Sequence, residues 1–120
     1  MSKRFTAPIC RLVFVAVLSV VTPAFATPPD TAGGATTYKS KCVACHGADG
    51  AGTSAGRSLN VADLRSPKVQ NQTNAQLQQI VKNGINNMPA FADTLSDQEI
   101  AGVVVYLRTL GKKAAGKAGR

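Results

Sequence analysis

The apolar positions of the chain recur at helical spacing in three segments, and no segment shows the alternation typical of strands. In the first segment Gly34, Tyr38 and Cys42 are spaced by four residues and share one face of a helix. The apolar faces of the other two segments consist of Leu77, Ile80 and Val81, and of Ile100, Val103, Val104 and Leu107. The pattern therefore predicts an all-α protein with three main helices.

Capping residues predict where these helices begin and end. Asn74 is suited to cap the start of the second helix, and Gly84 is suited to its end. The third helix begins with Ser96-Asp-Gln-Glu99, a capping box in which the two terminal side chains each bond the other residue's backbone N–H. Gly111 is expected to end this helix.

The N-terminal residues are predicted to be an export signal rather than part of the fold. A basic start precedes an apolar run, residues 12–21, that is shorter than the about 20 residues needed to span a bilayer. Ala24 and Ala26 place small residues where a signal peptidase cuts, so we expect cleavage after Ala26 and delivery to the periplasm. A retained membrane anchor is the alternative; without it, we expect no stable membrane insertion.

The rest of the chain divides into three parts by composition. Residues 27–33 are rich in Pro, Gly and Thr and are expected to form a flexible leader. A single domain is expected over residues 34–111. Residues 112–120 are small or basic and have nothing to bury, so they are expected to form a flexible basic tail.

The processed chain is short of large core side chains. Removing 26 of the 120 residues leaves 94, and the aromatic residues among them are Tyr38, Phe91 and Tyr106. A domain of this size buries little apolar surface. A bound cofactor would fill its interior.

Cys42-Val-Ala-Cys45-His46 predicts what that cofactor is. Two thiols separated by two residues in one helical turn can form thioethers with the two vinyl groups of a porphyrin, and the adjacent imidazole can then bind the iron. This spacing is the attachment signature of a c-type haem. One covalently bound haem c is therefore predicted, held by Cys42 and Cys45, with His46 as a ligand of the iron.

Two other uses of paired cysteines fit the sequence less well. A structural zinc site needs four ligands, whereas the chain after Ala26 contains two Cys and one His. A thiol–disulfide exchange site normally lies between a strand and a helix, and no strand is predicted here.

The second axial ligand is predicted by elimination. His46 is the single histidine of the sequence, and Met88 is the one methionine left after the signal is removed. Met88 lies 42 residues after His46, in an extended loop over residues 85–94 where Pro89 prevents a helical conformation. Such a position suits a ligand better than a core side chain. The alternatives are a role in the core, a lysine ligand or an open face of the iron.

These motifs resemble those of the class I cytochromes c, specifically the short bacterial members with one haem, over residues 34–110. The segments that carry the resemblance are the attachment motif with the following Gly-Ala-Asp-Gly50-Ala-Gly52, then Asn83-Gly-Ile-Asn-Asn-Met-Pro-Ala-Phe91, and Leu95-Ser-Asp-Gln-Glu-Ile100 leading to Val105-Tyr106-Leu107.

The resemblance implies a small class I cytochrome c fold, with three main helices around one covalently bound haem. The first and last helices would cross near Gly34, Gly102 and Tyr106, and the methionine loop would close the far side of the haem. The side chains expected to form the pocket, or else ordinary core, are Leu59, Leu64, Ile80, Val81, Phe91 and Leu95.

The resemblance also implies a carrier of single electrons between redox proteins, not an enzyme, with the iron cycling between Fe(III) and Fe(II). A haem subunit of a larger oxidoreductase is one alternative, and a haem-based gas sensor is another if Met88 is displaceable. Family members often have a proline after the attachment motif, whose carbonyl accepts the N–H of the proximal histidine. None lies between Gly52 and Leu64, so the acceptor that orients His46 stays open.

Charge predicts the kind of partner. Three of the 14 basic residues precede the cleavage site, which leaves 11 against 6 acidic residues and a net charge of about +5. Export and the scattering of the lysines argue against nucleic acid. We expect a monomer that meets redox proteins through their acidic docking faces, steered by Lys39, Lys41 and Lys82 unless these are simply solvated side chains.

Overall fold

A computed structural model of the protein describes residues 27–120. The predicted export signal, residues 1–26, lies outside the described residues. Within the described part the secondary structure is helical, and the one β-bridge is the isolated pairing of Ile85 with Met88. The prediction of an all-α protein is confirmed. The helices are α1 (Thr31–Lys41), α2 (Val43–His46), α3 (Ser54–Ser58), α4 (Pro67–Gln70), α5 (Asn74–Asn83) and α6 (Asp97–Ala118).

The fold is organised by the crossing of α1 and α6. The backbones meet at Gly34 and Gly102, so closely that a Cβ atom added to Gly34 would lie 2.0 Å from the Gly102 carbonyl oxygen. One turn further along, the rings of Tyr38 and Tyr106 pack with their centroids 5.2 Å apart. The crossing therefore lies where the resemblance implied it.

Helix α1 begins earlier than expected. The carboxylate of Asp30 accepts hydrogen bonds from the backbone N–H groups of Ala32 (3.0 Å) and Gly33 (2.8 Å), which caps the helix. The prediction of a flexible leader over residues 27–33 is therefore wrong from Thr31 onwards. An N-cap aspartate compensates for the low helix propensity of the two glycines that follow.

Helix α5 was placed correctly except for its cap. Thr73, not Asn74, is the N-cap residue, and it forms a capping box with Gln76. Gly84 ends the helix as predicted, with a φ of 73°. Asn74 is the first helical residue, so the prediction of the cap was wrong by one position.

Helix α6 has the predicted capping box between Ser96 and Glu99 but not the predicted end. It continues through Gly111 to Ala118, so the expected irregular tail over residues 112–120 is largely helical. Gly111 is buried, and a Cβ there would lie 2.4 Å from the Gln70 side chain. This glycine makes room for Gln70 rather than ending the helix, and the Lys and Ala residues that follow are good helix formers.

The three short helices were not predicted as such. Helix α2 holds the attachment motif, Thr53 caps α3, and Pro67 occupies the first turn of α4. One turn of helix is too short to show a periodic pattern of apolar residues. Their positions are therefore known only from the structure.

Two groups of buried side chains form the core. The larger joins α1, α4, α5 and α6 through Tyr38, Val69, Leu77 and Val104, among others. The smaller consists of Val81, Leu95 and Ile100, with Met88 and Phe91 packed against it. In the described part of the chain, no helix has the length and apolar character needed to cross a membrane.

Arg108 ties the connection between α4 and α5 to α6. Its guanidinium donates to the Gln70 carbonyl (2.7 Å), to the Asn74 side-chain oxygen (3.0 Å) and to the Gln72 carbonyl. Gln70 in turn donates to the Leu64 carbonyl at 2.6 Å. This network satisfies carbonyl groups at the end of α4, where no helical N–H is available to them.

The helix crossing generates a test of packing with a control in the same protein. We expect Gly34→Ala to lower the free energy of unfolding by about 2 kcal/mol or more, because the new methyl group has no room against the Gly102 backbone. At Gly116 a Cβ would meet nothing within 4 Å, so Gly116→Ala should raise stability by about 0.5 to 1 kcal/mol. Denaturant titration of the two variants measures both changes, and equal effects would contradict the close crossing.

The capping box of α6 predicts a dependence of stability on pH. Hydrogen bonds from the Ser96 backbone N–H, at 2.8 Å, and from its hydroxyl hold the pKa of Glu99 below its ordinary value of 4.5. A carboxylate with a lowered folded-state pKa stabilises the protein fully above its unfolded-state value, and this stabilisation is lost as the pH falls through the folded-state value. Glu99→Gln keeps a capping side chain but does not titrate, so the wild type should lose more stability than this variant on acidification from about pH 5 to about pH 3. Denaturant titrations across that range give the comparison; parallel curves would argue against it.

Candidate functional site

A cavity of about 280 Å³ lies between the end of α1, the segment before α4, helix α5 and the loop that follows it. Its walls are mostly apolar. Cys42, His46 and Met88 all line it, although they come from segments far apart in the sequence. Three of the four predicted site residues therefore meet at one cavity.

Cys45, the fourth predicted residue, does not line this cavity. It is partly exposed on α2, one turn after Cys42, and its backbone N–H donates to the Cys42 carbonyl at 3.3 Å. The two cysteines are not joined to each other in a disulfide. Before attachment of a cofactor, burial raises the pKa of the Cys42 thiol to about 11.

The turn that carries His46 is fixed from several sides. The His46 N–H donates to the Cys42 carbonyl (2.9 Å), and the Tyr38 hydroxyl donates to the Gly47 carbonyl (2.8 Å). Thr53 closes the turn, since its hydroxyl donates to the Ala44 carbonyl at 2.8 Å and its N–H to the Cys45 carbonyl at 2.9 Å. These bonds satisfy carbonyls of the turn and fix the backbone that carries the imidazole.

The imidazole of His46 has one buried nitrogen that lacks a good partner. Nδ1 is buried and has no hydrogen bond of standard geometry among the described residues. The Ala62 backbone raises the pKa of His46, by less than burial lowers it. Ala62 lies in the segment between Gly52 and Leu64, which contains no proline.

A tight loop presents Met88. Met88 and Ile85 exchange backbone hydrogen bonds of 2.9 and 3.2 Å, and the turn between them contains Asn86 at a φ of 52°. The loop packs back on the end of α5, because a Cβ on Gly84 would lie 2.5 Å from the Met88 carbonyl oxygen. Glycine at this position is therefore required both by its positive φ and by this close approach.

A hydrogen bond links the loops on the two sides of the cavity. The Asn87 side chain donates to the Leu59 carbonyl at 3.2 Å. Among residues 27–120, Leu59 and Ile85 are also the two large apolar side chains that are most exposed, at 44% and 52%, and both line the cavity. The apolar rim is therefore open to solvent on this side.

The predicted pocket walls are confirmed only in part. Leu59, Leu64, Ile80 and Val81 line the cavity. Phe91 and Leu95 take the alternative role, ordinary core, since they belong to the smaller core group with Val81. The periodic pattern could not separate these two roles because both need apolar side chains.

Several residues of the cavity were not predicted. Tyr38 shares a helix face with Cys42, so the spacing of these residues could have predicted that Tyr38 lines the cavity. Lys68, Gln72 and Asn60 also line the cavity, but they lie in irregular segments or in a one-turn helix and carry no periodic signal.

The cavity has the properties that a covalently attached haem needs. It is largely apolar and narrow, it contains an imidazole and a thioether, and a thiol of the attachment motif opens into it. The buried Nδ1 of His46 faces protein, which fits a ring whose other nitrogen binds a metal. Across residues 27–120 no three His, Cys, Asp or Glu side chains form a group that could hold a metal ion by themselves.

Comparison with known proteins agrees with this geometry. A family model described as cytochrome c oxidase, cbb3-type, subunit III, matches residues 29–107. The chain is 36% identical to cytochrome c6 of Thermosynechococcus vestitus over 119 residues, which cover 99% of this chain and 100% of that protein. It is 38% identical to cytochrome c6 of a Synechococcus species over 86 residues, or 72% of this chain and 73% of that protein.

Solved structures show the same arrangement of helices. Cytochrome c6 from the diatom Phaeodactylum tricornutum superposes with a TM-score of 0.56 at 28% identity, over 70% of this chain and 97% of that chain. A c-type cytochrome named KustC0563 superposes with a TM-score of 0.61 at 24% identity, over 64% of this chain and 95% of that chain, and this likeness concerns the fold alone.

Proposed function

Since the chain belongs to the class I c-type cytochromes, which carry one covalently bound haem c, we propose that it is an exported one-electron carrier whose iron is ligated by His46 and Met88. The observation that carries the proposal is that these two side chains, 42 residues apart in the sequence, line one apolar cavity. Cleavage after Ala26 and a periplasmic location complete the proposal.

The bound haem supplies the chemistry, a reversible one-electron change between Fe(III) and Fe(II). The chain supplies its attachment through Cys42 and Cys45 and the two axial ligands. A thioether is a soft ligand that favours the electron-rich state, and an apolar wall disfavours additional positive charge. Met88 and the walls formed by Leu64 and Val81 therefore both raise the reduction potential.

The loop around Met88 supports a carrier rather than a gas sensor. The paired bonds between Ile85 and Met88, the close packing on Gly84 and the Asn87 bond across the cavity all resist displacement of the thioether. With both axial positions filled by protein, no position is left for a substrate, so no catalytic residue is proposed.

The proposed partners are redox proteins with an acidic docking face. Lys82 is engaged in an ion pair with Asp97 at 2.7 Å, which weakens its part in steering. Lys39 and Lys41 lie exposed in the last turn of α1, next to the attachment motif. These two lysines are the proposed steering charges.

Replacement of Met88 tests the proposed ligation. In the haem-loaded protein, Met88→Ala should remove the weak long-wavelength absorption band of a sulfur–iron(III) bond and lower the midpoint potential by on the order of 0.1 V, because a soft ligand is lost. The reduced variant should also bind CO, whereas the wild type should bind little. Ile85→Ala is the control, since Ile85 lines the same cavity and cannot ligate. A Met88→Ala protein with the spectrum and potential of the wild type would rule out this ligand.

Salt dependence tests the steering charges. The rate of oxidation by the anion ferricyanide should fall as ionic strength rises, roughly severalfold, while the rate with a cationic oxidant should not. Charge reversal by Lys39→Glu with Lys41→Glu should flatten this dependence, and the same change at Lys112 and Lys113, far along α6, should affect it less. Stopped-flow absorbance of the haem gives the rates. If the two double variants behave alike, net charge rather than a local patch governs the encounter.

A further inference from the structure

A second concavity, of about 570 Å³, lies along the last turns of α6 and shares no lining residue with the haem cavity. Tyr106 and Leu110 contribute its apolar surface. Ala48, Asp49 and Arg65 line it from the loop after the attachment motif and from the segment before α4. The groove exists because α6 continues past Gly111.

The groove has an excess of positive charge. Lys113, Lys117 and Arg120 line it, spaced by four and three residues so that they follow one side of α6 and its end. Within residues 27–120 none of these three side chains forms an ion pair. Arg65 is paired with Asp49 at 3.2 Å and with Asp63 at 2.9 Å, so Asp49, the acidic residue that lines the groove, already has a cationic partner.

We propose that this groove binds a short acidic segment of another protein. The shape is concave, three cations are free to pair with carboxylates, and the apolar floor suits the aliphatic part of a bound chain. The groove is also open at Gly116, where an added Cβ would meet nothing within 4 Å, so a peptide backbone can approach α6 closely there.

The same observations argue against two other occupants. A membrane-surface helix buries large apolar side chains in the lipid, whereas residues 111–120 of α6 and its end contain only Gly, Ala and basic residues. Single-stranded nucleic acid binds largely by stacking on aromatic rings, and the one ring in the groove, Tyr106, already packs on Tyr38. A protein segment with several carboxylates is the partner that the charge and shape favour.

This site is separate from the proposed electron-transfer site. Its lining side chains do not include any residue of the haem cavity, so a partner bound in the groove does not need to displace the haem or its ligands. The groove would hold the protein near an acidic partner while electrons pass elsewhere on the surface.

Charge reversal at neighbouring positions tests the groove. The binding of a fluorescein-labelled oligoglutamate peptide to the haem-loaded protein is measured by anisotropy at low ionic strength. Lys113→Glu should weaken binding about fivefold or more. Lys112→Glu makes the same change in net charge on the same helix, but Lys112 does not line the groove, and it should weaken binding less than about twofold. Equal weakening by the two variants would overturn the proposal.

A steric pair tests the groove without changing charge. Gly116→Leu should fill the groove and weaken peptide binding about fivefold, whereas Ala115→Leu, one position away and outside the groove, should have little effect. No difference between these variants would also overturn the proposal. The haem spectrum and helical circular dichroism confirm that each variant is folded.

Vesicles of phosphatidylglycerol provide the competing occupant. We expect them to bind Lys113→Glu and Lys112→Glu equally, because these two variants have the same net charge, and not to displace the peptide from the wild type. If vesicles displaced the peptide from the wild type, and if vesicle binding were lost in Lys113→Glu but not in Lys112→Glu, the groove would be a lipid site. This result would overturn our assignment. Peptide binding is measured without electron transfer, so a negative result in this experiment does not contradict the proposed carrier function. The spectrum of Met88→Ala, in turn, tests only the carrier function.

Discussion

The contact between the backbones of α1 and α6 is the constraint on which the other features depend. Glycine at positions 34 and 102 lets the two helices approach within a distance that no side chain would permit. That approach packs the Tyr38 ring against Tyr106 and directs the Tyr38 hydroxyl to the Gly47 carbonyl. The end of α1, where the attachment motif begins, is thereby held against α6. A few backbone atoms at the crossing thus set the position of His46, the proposed proximal ligand.

The opposite side of the cavity is built on a different principle. Met88 lies in a loop, and its position is set by hydrogen bonds and backbone geometry rather than by a packed helix face. Glycine at position 84 and asparagine at position 86 adopt the positive φ values that this turn needs. One proposed ligand, His46, is therefore positioned by packing, and the other, Met88, by the shape of a turn. The bond between Asn87 and the Leu59 carbonyl joins the two sides.

The sequence was sufficient to predict the long helices and most of the site, because both leave local signals. Periodic apolar residues located α5 and α6, a capping box marked the start of α6, and chemistry restricted the choice of iron ligands to very few side chains. The end of α6 could not be predicted, since a glycine suited to end a helix looks the same in a sequence as one that accommodates Gln70. The wall of the cavity could not be separated from the neighbouring core, because both consist of apolar side chains at helical spacing. The acceptor for the His46 side chain could not be predicted, because any residue can offer a backbone carbonyl.

The hydrogen bonds of Arg108 affect how the sequence of this protein can vary during evolution. Its three acceptors belong to the stretch that supplies Val69, Gln72 and Leu77 to the cavity wall. A substitution on the partly exposed side of α6 can therefore loosen the surroundings of the cofactor from the far side of the helix, with every ligand unchanged. Substitutions at positions that do not contact the porphyrin would then change the midpoint potential. Natural variation could adjust the energy of the transferred electron in this way while the attachment of the haem stays the same.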